Sequence, residues 1–458
     1  MQKFLNWWGR ARNRRVAVKR ASLYAGLYAK WVAIVCAFAL VPGALSVAQD
    51  ARAGTALALA ARANTAAGIQ ASGGALAAIQ YDSHIRKSLS KLNAFNSEPV
   101  HIAVIGHSIV NGVGSGSTQA DYDANNYVTQ LRLQLGAMLG TTVNEGVLEQ
   151  NSAYRFTLTN TAFASNPLGF LNAFNLTATN QSAAITLSGS VAYVYMYANA
   201  SPVTLSYTVD GGGAQTPTVI SSVPINTIGA GVGGYFQVVS LNLGTNASHN
   251  IVLSGPSSGA VSVYFIEARA SATSGLTVSR MGKNGAVEAD DFTIASLATD
   301  PLPTTATYTD GQKAAQVYSL SKLIGADLVI LMFDVNNESS KASTYGYNYD
   351  LTRIRSNIQR VVNGLVANGS DVLLVTGPWF DPTNAAYTAP YTQQAMAAVY
   401  QDIAKNTDGV AYADLRAPYT SYVDENAAGL KADYVHPNKR GAARIGRMIG
   451  RALMRAAP

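Results

Sequence analysis

The chain has 458 residues, enough for two or three domains that each bury a core. Charged residues make up 13% and apolar ones 48%, which excludes a disordered polyelectrolyte and describes a globular protein with a Gly/Ser/Thr/Asn/Ala-rich surface. The net charge of +7 is not spread evenly: residues 1–49 hold Lys3, Arg10, Arg12, Arg14, Arg15, Lys19, Arg20 and Lys30 and no acid, so the remaining chain sums to −1. The basic balance therefore describes an N-terminal tail and gives no ground for nucleic-acid binding by the main body. A single cysteine, Cys36, excludes an intramolecular disulfide and a thiolate metal site. Five histidines, His84, His101, His107, His249 and His436, are the whole choice for a base that titrates near neutrality.

Residues 1–50 form a basic and apolar segment with two readings. Lys30 to Gln49 has the form of a secretory signal: a basic flank, a short apolar core, then Pro-Gly and small residues. The long basic stretch before it, with Trp7 and Trp8, fits a retained helix that attaches the chain to partner subunits, a membrane surface or a virion. The apolar core is short for a membrane span. Residues 51–95 are alanine-rich and read as a helical linker or stem, resembling the leaders of phage tail fibres in composition alone.

From residue 96 the pattern changes. "VHIAVIG" predicts a buried strand that ends at Gly106 and delivers Ser108 into a polar loop, and "YVTQLRLQLGAML" predicts a helix. Residues 151–270 differ again: between Phe156 and Ile266 the only charged side chain is Asp210, and alternating runs such as "VAYVYMYA" and "YFQVVSLNL" are broken by Gly, Asn and Pro. Period-two patterning with turn punctuation predicts an antiparallel sandwich or jelly roll. Its tyrosines and amides suit sugar rings and hydroxyls, or else simply fill a core. Over 271–458 strands and helices alternate: "GLTVSRMG", "ADLVILMF", "SDVLLVTG" and "GVAYADL", with helices near 311–324, 348–367, 391–405 and 440–455. Such alternation predicts parallel βαβ units. The expected architecture is one α/β domain, 96–150 plus 271–458, interrupted by a β insert.

In open parallel sheets ligands sit beyond the carboxyl ends of the strands. At those ends stand Gly106-His107-Ser108, then "MGKNGAV" with Gly282 and Gly285, then "FDVNNES" with Asn336 and Asn337, and finally "ADYVHPNKRG" with Asp433 and His436. A serine, a glycine turn, an asparagine and an Asp-x-x-His on one rim suit acyl transfer, which needs a nucleophile, a base, a carboxylate that orients it and donors for the oxyanion.

These four segments, in this order, resemble the SGNH (GDSL-like) hydrolase family, which is named for its Ser, Gly, Asn and His and closes with Asp-x-x-His-Pro. The resemblance covers residues 96–150 and 271–458 and leaves out the tail and the insert. It implies a three-layer α/β/α, flavodoxin-like parallel sheet. It also implies Ser108 as nucleophile, His436 as base, Asp433 as its orienting carboxylate, and an oxyanion hole from Ser108, Gly285 and Asn336. Two departures stand out. The family's Gly-Asp-Ser is Gly106-His107-Ser108 here, and its Gly-x-Asn-Asp is Asp334-Val335-Asn336-Asn337. His107, Asp334 and Asn337 are thus expected to modulate the site or to contact substrate.

Other motifs carry less. "GVGSGST", Gly112 to Thr118, lacks the Gly-Lys-Ser/Thr ending of a phosphate loop and reads as a flexible loop. Val110 breaks a Gly-x-Ser-x-Gly elbow. His84, His101 and His249 have no acidic partner at ligand spacing, so neither metal nor cofactor is expected.

The function expected is a serine esterase that removes acyl groups, foremost O-acetyl, from an extracytoplasmic polysaccharide, secreted or periplasmic. The alternatives are a trimeric tail-fibre or tailspike subunit on a virion, which binds host surface glycan and carries the same domain as a deacetylase or in vestigial form, and an O-acyltransferase.

Overall fold

The computed structural model describes residues 78–146, 154–164, 173–198, 201–224, 234–282, 325–333, 351–384 and 393–458. The readings of residues 1–50, the stem over 51–77 and the predicted helix at 311–324 lie outside the described residues.

A seven-stranded sheet forms the centre, in the order β1-β15-β14-β13-β2-β12-β3. Its strands are β1 (Ile79–Gln80), β2 (Pro99–Gly106), β3 (Asn144–Glu145), β12 (Gly275–Gly282), β13 (Leu328–Met332), β14 (Asp371–Val375) and β15 (Val410–Ala413). All pairings are parallel except that of β1 with β15. The strands read as unbroken apolar runs because both faces are covered. Successive side chains alternate: Val100, Ile102 and Val104 enter one apolar cluster, while Ala103 and Ile105 enter the other.

On the first face lie helices α1 (Arg86–Ala94), α4 (Tyr127–Leu139) and α8 (Lys439–Ala456), through Leu89, Leu131, Leu135, Ile445 and Ile449. Short helices α2 (Ser108–Asn111), α3 (Gln119–Asn125) and α7 (Tyr422–Ala427) sit in the connections. Helix α8 approaches α4 closely because Gly446 has no side chain; a Cβ there would lie 2.6 Å from both Leu131 N and Tyr127 O. On the second face lie α5 (Leu351–Ala367) and α6 (Gln393–Lys405), through Ile358, Val361, Met396 and Ile403. This is the expected three-layer α/β/α arrangement.

The end of the expected linker is corrected. Residues 79–95 belong to the α/β fold: β1 extends the sheet beside β15, and Ile85, Leu89 and Leu92 are buried. The cause is their apolar side chains at helical spacing, which outweigh the polar look of a stretch bearing Arg86, Lys87 and Lys91.

Between β3 and β12 in the chain lies an eight-stranded antiparallel sheet: β4 (Thr157–Thr159), β5 (Phe163–Ala164), β6 (Ala173–Leu176), β7 (Ser182–Ala198), β8 (Ser206–Val209), β9 (Thr218–Pro224), β10 (Tyr235–Ser254) and β11 (Val261–Arg269). The described strands of this region form one antiparallel sheet, where a sandwich or jelly roll was expected. Strands β7 and β10 are long enough to serve two halves: their first and last parts pair with each other, with a register shift between Asn242 and Ala247. Residues of both halves, among them Ile185, Leu187, Leu253, Val194, Leu241 and Val263, share one apolar core.

The outer face of one half is buried as well. Tyr195, Tyr197, Phe236, Val238, Tyr264 and Phe265 join the cluster that contains Ala103, Ile105 and Met281 of the parallel sheet. These tyrosines, and Tyr207 in the insert core, are therefore packing residues and offer no face to a sugar. A buried polar cluster lies at this junction. Arg269 donates to Glu267 at 2.5 Å, Tyr195 Oη donates to the same carboxylate at 3.0 Å, and its second oxygen faces His101 at 3.6 Å. His101 in turn meets Ser279 of β12 at 2.5 Å. Burial first, and then the Glu267 carboxylate, push the Tyr195 phenol well above its ordinary pKa, so it stays a donor.

Removing one partner of a buried ion pair leaves the other charge uncompensated. Arg269→Met is expected to destabilise the fold by about 3–5 kcal/mol, read as a lowered denaturant midpoint, with Glu267→Gln/Arg269→Met recovering part of the loss.

Candidate active site

Strand β2 stops at Gly106 because the chain must turn within touching distance of β13: a Cβ there would lie 2.3 Å from the carbonyl oxygen of Met332. The next two residues start α2. His107 is its N-cap, in extended backbone, and its Nδ1 accepts a hydrogen bond from Ile109 N at 3.3 Å. An aspartate would do the same, since a capping side chain only has to accept from the first turn. His107 is fully buried, which leaves it a part in shaping the turn and none in contacting substrate in this conformation. The turn closes at Gly112, in the left-handed region at φ 93°.

From the other side, Arg280 of β12 reaches under the turn. It donates to Asn111 O at 3.2 Å and pairs with Asp123 of α3, which also accepts from Tyr154 at 2.8 Å. Gly282, at the end of β12, admits the turn; a Cβ there would meet Asn111 N at 2.6 Å.

The C-terminal segment supplies the partners of Ser108. Its Oγ donates to His436 Nε2 at 2.9 Å, and His436 Nδ1 donates to Asp433 Oδ2 at 2.8 Å. These partners assign the Nδ1–H tautomer. Asp433 Oδ1 accepts from the backbone N–H groups of Val435 and His436, both at 2.7 Å. Burial alone would raise the Asp433 pKa. The ring and backbone hydrogen bonds of His436, with that of Val435, outweigh it and hold the carboxyl at about 2, below its ordinary 3.8. Asp433 is thus a carboxylate throughout the neutral range.

The loop that bears His436 is held at both ends. Lys431 pairs with Pro437 across an isolated bridge, and its buried ammonium donates to Trp379 O and lies 3.1 Å from Glu425. Burial lowers the Lys431 pKa, against the pull of Glu425. Asn438 caps α8 by accepting from Gly441 N at 3.0 Å, while its amide donates to the carbonyls of Gly429 and Lys431. Beneath His436 runs the loop after α2: Gly114, at φ 89°, is so close that a Cβ would lie 2.6 Å from His436 Cβ.

The structure thus brings together Ser108, His436 and Asp433 and places His107 beside them. Gly285, Asp334, Asn336 and Asn337 lie outside the described residues. Reasoning from the sequence missed Gly114, Arg280, Lys431 and Glu425. Of these only Gly114 had a signal, in a glycine-rich stretch read as a flexible loop. A partner was also missed for His249, whose Nδ1 meets Asp210 at 2.7 Å in the insert.

Residues 263–444 match the GDSL-like Lipase/Acylhydrolase family. The chain therefore carries a GDSL-like, or SGNH, hydrolase domain. The matched stretch includes Asp433 and His436 and stops short of Ser108, which joins it through the pairing of β2 with β12 and β13. Among solved structures, that titled "Peptidoglycan O-acetylesterase in action, 5 min" shares 17% identity at a TM-score of 0.56, covering 82% of this chain and 98% of that one. At this identity the likeness is one of fold. A Corynascus thermopiles (Myceliophthora fergusii) carbohydrate esterase family 2 enzyme with a carbohydrate binding domain shares 15% identity at a TM-score of 0.28, covering 65% and 99%. A family two carbohydrate esterase from Cellvibrio japonicus shares 12% at 0.23, covering 66% and 95%. No curated protein matches the chain.

The depressed pKa of Asp433 has a consequence for stability. A carboxyl with a lower pKa folded than unfolded stabilises above its ordinary pKa and loses that contribution as pH falls through the folded value. Stability should therefore drop between about pH 4 and pH 2, and Asp433→Asn should show a shallower slope over that window in denaturation midpoints.

Proposed function

We propose that the protein is a serine esterase that hydrolyses ester-linked acyl groups, foremost O-acetyl, on an extracytoplasmic polysaccharide. The observation that carries this reading is the hydrogen-bonded chain Ser108–His436–Asp433 at the carboxyl rim of a sheet in a GDSL-like hydrolase domain. The peptidoglycan O-acetylesterase that shares the fold supports a polysaccharide ester as the substrate class.

In this mechanism His436 Nε2 takes the Ser108 proton as Oγ attacks the ester carbonyl carbon. The imidazolium is stabilised by Asp433, whose low pKa keeps the proton on His436. The tetrahedral oxyanion accepts hydrogen bonds from the Ser108 and Gly285 N–H groups and the Asn336 amide. Its collapse breaks the bond to the sugar oxygen, which leaves with the proton from His436. Water, deprotonated by His436, then attacks the acyl-enzyme, frees the carboxylic acid and restores Ser108. An acyltransferase would share the first half and hand the acyl group to a sugar hydroxyl, so free acetate as product selects hydrolysis.

The test is acetate release from O-acetylated polysaccharides. Ser108→Ala and His436→Ala should each lower turnover by at least about 10³-fold with melting temperature unchanged. Retained activity in Ser108→Ala overturns the assignment. Loss of an oxyanion donor typically costs about 10²–10³ in kcat, and Asn336→Ala should fall in that range.

A further inference from the structure

The near-neutral balance of residues 50–458 conceals a strong asymmetry. Helices α1, α4 and α8, which together line one face of the sheet, carry ten basic residues and no acidic one: Arg86, Lys87 and Lys91; Arg132; and six on α8. The rest of residues 50–458 holds 15 basic and all 26 acidic residues. A whole layer of the domain is thus cationic against an acidic remainder. Ion pairs offset part of it. Lys91 meets Asp327 at 2.6 Å, and Arg444 lies 3.9 Å from Glu425, which Lys431 already holds at 3.1 Å.

The row on α8 opposes the stability of its own helix. Lys439 and Arg440 occupy the first turn, against the positive end of the helix dipole, and Arg440/Arg444 and Arg447/Arg451 are like charges four residues apart. An anion laid along the row removes both penalties. The row starts at Lys439, three residues after His436, and Arg440 and Arg447 are both exposed, about 10 Å apart along the axis. That interval is close to the length of a disaccharide. Arginine's planar fork suits carboxylates.

Lys87 and Lys91 of α1 are held at the amino ends of β14 and β13, by Gly369 O and Asp327, so the α8 row alone starts at the Ser108 rim. We infer that the α8 arginine row docks a linear polysaccharide bearing carboxylates and holds it beside the Ser108 site. A lipid surface fits less well, because among the described residues Leu133 is the one large exposed hydrophobic on these helices. The choice of a polysaccharide rests on the esterase reading, but binding is measured here without turnover, so the two fail separately.

The experiment uses the full chain with Ser108→Ala, and the same protein with Arg440→Glu/Arg447→Glu, titrated with unesterified polygalacturonate, with dextran and with phosphatidylglycerol/phosphatidylcholine vesicles. Polygalacturonate should bind in a salt-sensitive manner and dextran should not. Charge reversal should weaken the Kd on the order of tenfold or more, with Arg440→Gln/Arg447→Gln intermediate and melting not lowered in either. Polymer should also protect Arg440 and Arg447 from phenylglyoxal, read by peptide mass spectrometry, which separates this face from the basic residues 1–49. Equal affinity in the charge-reversed protein, or undiminished labelling of both arginines, overturns the inference. So does arginine-dependent binding to vesicles without binding to the polymer.

Discussion

The 2.9 Å hydrogen bond between Ser108 Oγ and His436 Nε2 joins positions 328 residues apart in the chain. Such a contact forms only if the two ends of the domain are held to well under an ångström, and the fold supplies that precision from both sides. Ser108 is fixed by the close approach of Gly106 to β13, the cap made by His107 and the Arg280–Asp123 pair beneath the turn. His436 is fixed by the Asp433 turn, the Lys431 anchor and the Asn438 cap. Gly114 then lets the two loops meet.

The insert is part of this frame. Its core face closes on itself, while Tyr195, Tyr197, Tyr264 and Phe265 turn outward onto the parallel sheet and share a cluster with Ile105, next to Gly106. Where β7, β10 and β11 pack on the parallel sheet both of their faces are buried, which fits the scarcity of charge there. Among the described residues, the charged cluster at the junction, Glu267 with Arg269, is paired and hydrogen-bonded, as burial demands.

Much of the fold was legible because the chemistry was local. Strand β12 has the bounds read from "GLTVSRMG", and α5, α6 and α8 lie within a few residues of their expected positions, since each carries an unbroken apolar run or a 3.6-residue period. The three site residues lay in motifs whose neighbours have a mechanical job, such as Asn438, which caps a helix. What could not be read depended on long-range packing. The apolar spacing of Ile85, Leu89 and Leu92 marks a face to be buried, but not that α1 would seat on this sheet or that β1 would find β15. The orientation of the tyrosines needed the insert's placement, and Gly114 gained its meaning only from a histidine far along the chain.

The most direct test of the Ser108–His436 linkage is covalent labelling with a fluorophosphonate, which reports a serine made nucleophilic by its base. The account predicts one adduct, on Ser108 by peptide mass spectrometry, formed quickly in the native protein and lost in His436→Ala and Asp433→Asn. An adduct on another residue, or equal labelling of Ser108 once His436 is removed, would contradict it.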